Sequence, residues 1–371
     1  MKALILVGGY GTRLRPLTLS VPKPLVHFCN TSIVEHQVAA LSKVGVKHVI
    51  LAVAYKPEEL TEALNDMEKK FGVRITCSQE IEPLGTGGPI CLAEKFLLEE
   101  DDTSDSFFML NSDVICDFPL FDMLQLHKSS NAEGTILITQ VEDPSKFGVV
   151  VHDSAGKVLR FVEKPEVFVG NFINAGIYIL RKSVTKRVSL RKTSIETEIF
   201  PAIVQDGGLY CMKLNGYWAD IGKPRDFLNG MDKFLSRTRE RLDNGEKGEM
   251  IPNLASGPEF IGHVIVAESA KIGSGCSIGP NVTIDKDCVI GPGCRIKDTA
   301  IMAGVHIESY SFISNSIIGW NSRVGKWVRV DGLSVLGEDV EIIDQCYLNG
   351  VLILPHKTIR ESIETSGSII M

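Results

Sequence analysis

The chain has 371 residues, 44% of them hydrophobic and 23% charged, a balance that suits a globular protein with a full core and leaves room for two domains. With 46 acidic against 39 basic residues it carries a formal charge of −7, which argues against nucleic acid as a partner. No apolar run approaches the roughly 18 residues of a membrane span. The nine cysteines form no CxxC pair, so reduced, mostly buried thiols in a cytoplasmic protein are expected.

In chain order, Ala3–Val7 reads as a buried strand, ended by Gly8-Gly9 too early to be a signal-peptide core. It runs into Gly8-Gly9-Tyr10-Gly11-Thr12-Arg13-Leu14-Arg15-Pro16-Leu17-Thr18. A Gly-rich turn at the carboxyl end of a parallel strand lets backbone N–H groups approach phosphates, because no Cβ intervenes. It is not a Walker A loop, which ends in Gly-Lys-Ser/Thr. Leu14 stands where a dinucleotide fingerprint needs its third Gly, and the second strand ends at Tyr55-Lys56 with no acid placed for a ribose. Arg13, and Lys23 between Pro22 and Pro24, add cations where a triphosphate needs them.

Apolar residues at 33, 34, 38, 41 and 44 predict a helix stopped by Gly45. Val49–Val53 is a second strand, and Pro57 opens a helix that runs to Lys70 and closes at Gly72. Val73–Cys77, a helix from Pro89 and the strand Phe107–Leu110 continue the alternation, which implies a parallel sheet with helices on both faces. Beyond Asp113 the strands Ile136–Thr139, Gly148–Val151, Val158–Val162 and Ile173–Leu180 lie closer together and predict an antiparallel extension. Asn174 falls inside the last of these, where an amide is costly unless satisfied, so a ligand role suits it.

The charged stretch Asp243–Glu249, followed by Pro252 and Pro258, reads as a linker between domains at 1–245 and 246–371. After it aliphatic residues recur every six positions through Val266, Ile272, Ile278, Ile284, Ile290 and Ile296. Two shortened steps reach Ile301 and Ile318, and the series continues to Ile342. Gly often follows the aliphatic residue. This period fits a triangular parallel coil with the aliphatic residues inward and Gly permitting the corners, about four to five coils over this stretch.

Gly-Gly-x-Gly-Thr-Arg-Leu-x-Pro-Leu-Thr with Pro22-Lys23-Pro24 resembles the signature of sugar-1-phosphate nucleotidyltransferases, and the resemblance covers the whole chain. It implies a Rossmann-like mixed α/β sheet followed by a left-handed parallel β-helix of hexapeptide repeats. It also implies a nucleotide site of Leu6, Gly8, Gly9, Gly11, Thr12, Arg13, Lys23, Gln79, Pro83, Gly85, Thr86, Asn111 and Asp113. Gln79 and Pro83-Leu84-Gly85-Thr86-Gly87-Gly88-Pro89 resemble the base-binding loop, and Leu110-Asn111-Ser112-Asp113 the metal-binding strand end. Asp220, in Tyr217-Trp218-Ala219-Asp220-Ile221-Gly222, matches the family's second metal Asp and also falls in the sugar-phosphate site with Glu163, Lys164 and Asn174. Asp113 and Asp220 would hold Mg²⁺, which favours oxygen ligands and is commonly bound by one or two carboxylates plus phosphates. Arg13, Lys23 and Lys164 would carry the catalytic charge stabilisation.

Within the family, Pro-Leu-Gly-Thr, Phe147-Gly148-Val149-Val150, Phe172-Ile173-Asn174-Ala175-Gly176-Ile177-Tyr178 and the terminal Ser368-Ile369-Ile370-Met371 are most similar to eukaryotic mannose-1-phosphate guanylyltransferases of the catalytic β type. GTP and mannose 1-phosphate are the implied pair. Thr31-Ser32-Ile33 and Thr197 depart from the usual pattern. A short β-helix exposes end coils and flat aliphatic faces that another copy can cover, which predicts a homo-oligomer through that domain, with a regulatory paralogue as the alternative partner. Three alternatives stay open: another nucleotide and hexose 1-phosphate pair, a non-catalytic regulatory subunit, and acyl transfer using His263, His306 or His356 of the hexad region, though each His reads better as facing solvent.

Overall fold

The computed structural model describes residues 1–9, 11–54, 58–99, 102–248 and 251–371. The expected helix start at Pro57, the Tyr55-Lys56 strand end and Glu249 of the linker lie outside them. By contact the chain divides into two compact units, Met1–Tyr10 with Val34–Trp218, and Gly11–Ile33 with Ala219–Met371.

The first unit is built on a nine-stranded sheet. Its elements are β1 (Lys2–Val7), α1 (Ile33–Lys43), β2 (His48–Val53), α2 (Glu58–Phe71), β3 (Arg74–Gln79), β4 (Ser106–Asn111), α3 (Leu120–Ser129), β5 (Gly134–Gln140), β6 (Gly148–His152), β7 (Val158–Glu163), β8 (Phe172–Arg181) and β9 (Leu209–Lys213). The strand order is β7-β6-β8-β4-β1-β2-β3, with β5 beside β8 and β9 beyond β5. β4, β1, β2 and β3 run parallel. β8 is antiparallel to β4, β5 and β6, the expected extension, whereas β9 returns parallel to β5. All six residues of β1 are buried, so between β4 and β2 it is an inner strand of the sheet covered on both faces. Leu4 and Leu6 share one core with Ile90, Ala93, Leu97, Tyr178 and Phe200. The helix expected from Pro89 is two short turns, Gly88–Leu92 and Glu94–Leu97. α1 and α2 end where Gly45 and Gly72 take φ of 84° and 63°, values that cost glycine little.

In the second unit α4 (Pro224–Asp243), absent from the expectation, starts with Pro at its first position and buries Phe227, Leu228, Met231, Phe234, Leu235 and Thr238, spaced three or four apart along one stripe. The hexads form the expected left-handed parallel β-helix. Val264 pairs with Val282, eighteen residues on, and Val282 with Thr299, seventeen on, so each coil is three hexads or one residue less. One side stacks seven strands, from Val264–Val266 to Ile369–Ile370, more than the four to five coils expected. The surplus comes from Leu348, Ile353 and Ile359, which prolong the inward series beyond Ile342. The aliphatic residues from Ile278 to Ile342 are buried, as expected.

The glycines match the expectation only in part. Corners are turned by residues with positive φ that recur once per coil, such as Gly275, Gly293, Tyr310, Trp327 and Gln345. The Gly that follows the aliphatic residue serves close packing of coils: a Cβ at Gly325 would lie 2.6 Å from Asp344 N, and one at Gly273 2.6 Å from Pro292 N.

All nine cysteines are free and seven are buried. Among the described residues no helix is long and apolar enough to cross a membrane.

Candidate active site

In the first unit the expected nucleotide residues gather at the carboxyl ends of the parallel strands, where open α/β sheets bind ligands. Leu6 of β1 stands opposite Asn111 of β4, and the Ser112 N–H donates to the Leu6 carbonyl at 3.1 Å. Gly8 and Gly9 are thereby set beside Asn111-Ser112-Asp113, with Gly9 at φ 78°. Gln37 of α1, fully buried, donates from Nε2 to the carbonyls of Asn111 at 2.8 Å and Val114 at 3.1 Å. It fixes the turn that presents Asp113 and had no signal in the sequence beyond its place on an apolar helix face.

Gln79 ends β3 opposite Val53 and is exposed. The loop after it is held at three points. The Leu84 N–H donates to the buried Glu80 carboxylate at 3.1 Å. The Thr193 N–H donates to the Leu84 carbonyl at 3.0 Å and the Gly87 N–H to the Thr193 carbonyl at 2.9 Å. The Thr86 hydroxyl donates to Glu196 Oε2 at 2.5 Å and accepts from the Ile195 N–H at 3.0 Å. Gly85 sits at φ 75°, and a Cβ there would lie 2.5 Å from the Thr193 carbonyl oxygen, which explains glycine at this position. Exposed Pro83 and Gly85 leave an edge of backbone open, fit to read a base through main-chain groups.

Glu163 ends β7, and Lys164 follows at φ 44° with its N–H donating to the Phe147 carbonyl at 3.0 Å. Lys164 Nζ lies 2.9 Å from Glu163 Oε1, a pair whose lysine is two-thirds exposed and therefore exchangeable for an anion at small cost. Gly148 makes room for Glu163, since a Cβ there would approach its Oε2 to 2.9 Å. Asn174 is satisfied within its own strand: Nδ2 donates to the Tyr178 hydroxyl at 2.7 Å, and Oδ1 accepts from the Gly176 N–H at 3.0 Å. The burial argument for a ligand at Asn174 is weakened accordingly.

Tyr178 is the hub that sequence reasoning missed. It is completely buried and its hydroxyl bonds to Asn174 and Asn111, with Glu196 and Glu163 nearby. Burial, then the Glu196 carboxylate, pushes its pKa far up, so it stays a neutral hydrogen-bonding post. One side chain thus ties β4, which carries the expected nucleotide residue Asn111, to the expected sugar-phosphate residue Asn174.

In the second unit, Gly11 at φ 62° caps the short turn Thr12–Leu14, and its carbonyl accepts from the Thr18 hydroxyl at 2.8 Å. Thr12 and Arg13 are exposed, and Lys23 packs so close to Gly11 that a Cβ on Gly11 would lie 3.1 Å from Lys23 Cβ. Arg13 and Asp220 converge on Gly222, where an added Cβ would meet Arg13 Nη2 at 2.9 Å and Asp220 Oδ1 at 3.0 Å. The Gly222 N–H also donates to Asp220 Oδ1 at 3.0 Å. No cluster of three or more His, Cys, Asp or Glu stands in a metal-holding arrangement among the described residues. Asp113 and Asp220 are each, within their own unit, a single carboxylate, the kind of ligand that suits a cation completing its shell with phosphate oxygens and water, as Mg²⁺ does.

The nucleotidyl transferase family model matches residues 2–237, and a second model, the GMPPB C-terminal domain, matches 260–370. The chain is 55% identical to the mannose-1-phosphate guanyltransferase beta-A of Xenopus laevis over 364 residues, 98% of each chain. The chain belongs to the mannose-1-phosphate guanylyltransferase family of nucleotidyl transferases. It is also 51% identical to mannose-1-phosphate guanylyltransferase 1 of Arabidopsis thaliana, again over 98% of both chains. The solved structure of HddC from Yersinia pseudotuberculosis aligns with a TM-score of 0.52 at 28% identity, covering 63% of this chain and 99% of that one. The family's reaction class makes this chain an enzyme. Of the three histidines of the hexad region, His356 is exposed and paired with Asp339 at 2.9 Å, while His263 and His306 are half-exposed, in keeping with the solvent-facing reading.

Proposed function

We propose that the chain transfers GMP from GTP to mannose 1-phosphate, giving GDP-mannose and pyrophosphate. The observation that carries this reading is the joint presence of the glycine turn, the buttressed Leu84–Thr86 loop and the Glu163-Lys164 strand end, in a chain more than half identical to a guanyltransferase along its full length. A phosphate oxygen of mannose 1-phosphate attacks the α-phosphorus of GTP in line, and the bond from that phosphorus to the bridging oxygen breaks with its electron pair leaving on pyrophosphate. Attacking and departing groups are both anions, so positioning and charge stabilisation are the main requirements and no protein nucleophile is needed. Arg13 and Lys23 stabilise the departing pyrophosphate, and Lys164 holds the attacking phosphate. Glu163 and Asn174 receive the sugar, while Gln79 and the backbone of Pro83, Gly85 and Thr86 receive the base. A divalent cation, magnesium in this proposal, would be held by Asp113 and Asp220 and would neutralise phosphate charge when bound.

The nine free thiols suit a reducing cytoplasm. The 1–245 region is proposed as catalytic and the 246–371 region, with its flat parallel faces and end coils, as the assembly surface of a homo-oligomer. Pyrophosphate release by the purified chain with mannose 1-phosphate and each nucleoside triphosphate tests the reaction, and sedimentation of the same sample tests the assembly.

A further inference from the structure

One buried carboxylate outside the proposed catalytic set has a defined partner. Asp285 follows the inward residue Ile284 of the β-helix, and its side chain is only 5% exposed. Its Oδ2 lies 2.5 Å from His27 Nδ1, and its Oδ1 accepts the Lys286 N–H at 2.7 Å. His27 begins a tight hairpin, His27–Phe28 against Thr31–Ser32, turned by Cys29 at φ 51° and Asn30 at φ 65°. Asn30 adds a second tie, donating from Nδ2 to the Ile284 carbonyl at 2.7 Å. Phe28, between the two, is fully buried edge-on against Phe227 and Phe234 of α4, with ring centroids 5.2 and 5.7 Å away. Every one of these residues belongs to the second unit.

What the hairpin carries gives the contact its meaning. The short turn Lys23–Leu25 precedes it directly, with the Val26 N–H donating to the Lys23 carbonyl at 3.2 Å and the Ile33 N–H to the Val26 carbonyl at 3.0 Å. Lys23 in turn packs on Gly11, next to Arg13. The same α4 face that holds Phe28 also holds the Asp220 segment, because Gly230 lets Ala219 and Ile221 approach where a Cβ would meet them at 3.0 and 2.9 Å.

We propose that Asp285 is a positioning residue for nucleotide binding: through His27 it anchors the Lys23 turn, and with it the triphosphate loop, to the wall of the β-helix. The β-helix is then part of the scaffold of the nucleotide site as well as a surface for assembly. This inference rests on Arg13 and Lys23 being triphosphate ligands. A loop freed from such an anchor samples displaced positions, and a misplacement of 1 Å in a positioned charge costs up to about 100-fold in rate.

The test is steady-state pyrophosphate release by the full chain with GTP and mannose 1-phosphate varied separately. The variants are Asp285→Asn, His27→Ala, the double variant, the exchange His27→Asp with Asp285→His, and Lys23→Ala. The anchor predicts a KM for GTP raised about 10-fold or more in each single variant. It also predicts a KM for mannose 1-phosphate within about twofold of the parent, no further loss in the double variant, and partial recovery in the exchange, since both residues act through one contact. Asp285→Asn that lowers the melting temperature but leaves both KM values and kcat intact overturns the inference. Should Asp285→Asn fail to fold, His27→Ala probes the same contact from its more exposed side, and an unchanged KM for GTP there overturns it equally. An impaired Lys23→Ala beside unimpaired anchor variants removes the anchor alone. An unimpaired Lys23→Ala removes the triphosphate-loop reading, and the inference with it.

Discussion

Arg13, Lys23 and Lys164 are proposed to stabilise charge on phosphates directly, and Asp113 and Asp220 through the cation they would hold, an effect that mutagenesis of comparable contacts puts at about 2.7–4 kcal/mol, or ~100- to 1,000-fold in rate. Asp113→Asn and Lys164→Ala are therefore expected to lose turnover by about that factor while melting like the parent, and a purified variant with parental turnover would remove its residue from the mechanism. Tyr178 makes a different prediction, because its hydroxyl holds Asn174 and Asn111 without reaching a reacting atom. Tyr178→Phe leaves two half-buried amides short of a partner, at a cost of about 1–2 kcal/mol, and should lower kcat/KM for mannose 1-phosphate ~5- to 30-fold. An unchanged kcat/KM would show the hub to be ornamental to the site. At this scale the glycines, Arg13, Lys23 and the Glu163-Lys164 pair were legible because their chemistry is local: a turn, a cation, a strand end. Gln37, Tyr178 and Glu196 were not, because each acts on a group 67 or more residues away, or on an element whose register only the folded sheet sets.

Among the elements, the β-helix is held by one inward aliphatic residue per hexad and by coil-to-coil approach at glycine. Ile313 is fully buried in that column, and Ile313→Ala should cost about 2–5 kcal/mol in unfolding free energy. Thermal unfolding reads this directly, and a loss no larger than that of a solvent-facing substitution would contradict the packing described. α3 offers a pH test. Burial lowers the pKa of its His127 from 6.5 to about 4, and the neutral ring bridges Thr135 of β5 at 2.8 Å and Ser106 of β4 at 3.1 Å. The unfolded chain binds the proton more readily, so this contribution is complete above about pH 6.5 and is lost as pH falls toward about 4. Urea midpoints should drop over that window in the parent and less steeply in His127→Gln; equal slopes would assign the acid sensitivity elsewhere. Strands of the sheet and the hexad column were readable from periodicity, since burial on both faces and a strict repeat leave plain patterns. α4 was not, for its apolar stripe lies among charged residues beside the linker, and the packing role of Gly273 and Gly325 was missed because the close approach of the next coil is invisible to a single repeat.

On the scale of the whole molecule, the sequence divides by period near residue 245, but contact places Gly11–Ile33 and α4 with the β-helix. Arg13, Lys23 and Asp220 thus fold with the coils, while Asp113, Lys164 and Asn174 fold with the nine-stranded sheet. That allocation was not legible, because it depends on a hairpin of six residues meeting a coil some 250 positions later. Sedimentation equilibrium should find more than one copy per particle, and a monomer at micromolar concentration would end the assembly proposal. The most direct test of the central claim is pyrophosphate release by the purified chain with Mg²⁺, crossing GTP, ATP, UTP and dTTP with mannose 1-phosphate and glucose 1-phosphate. Release strongest with GTP and mannose 1-phosphate, and abolished by chelating the metal, is the predicted result; preference for another pair would contradict the assigned substrates, and no release with any pair would contradict catalysis itself.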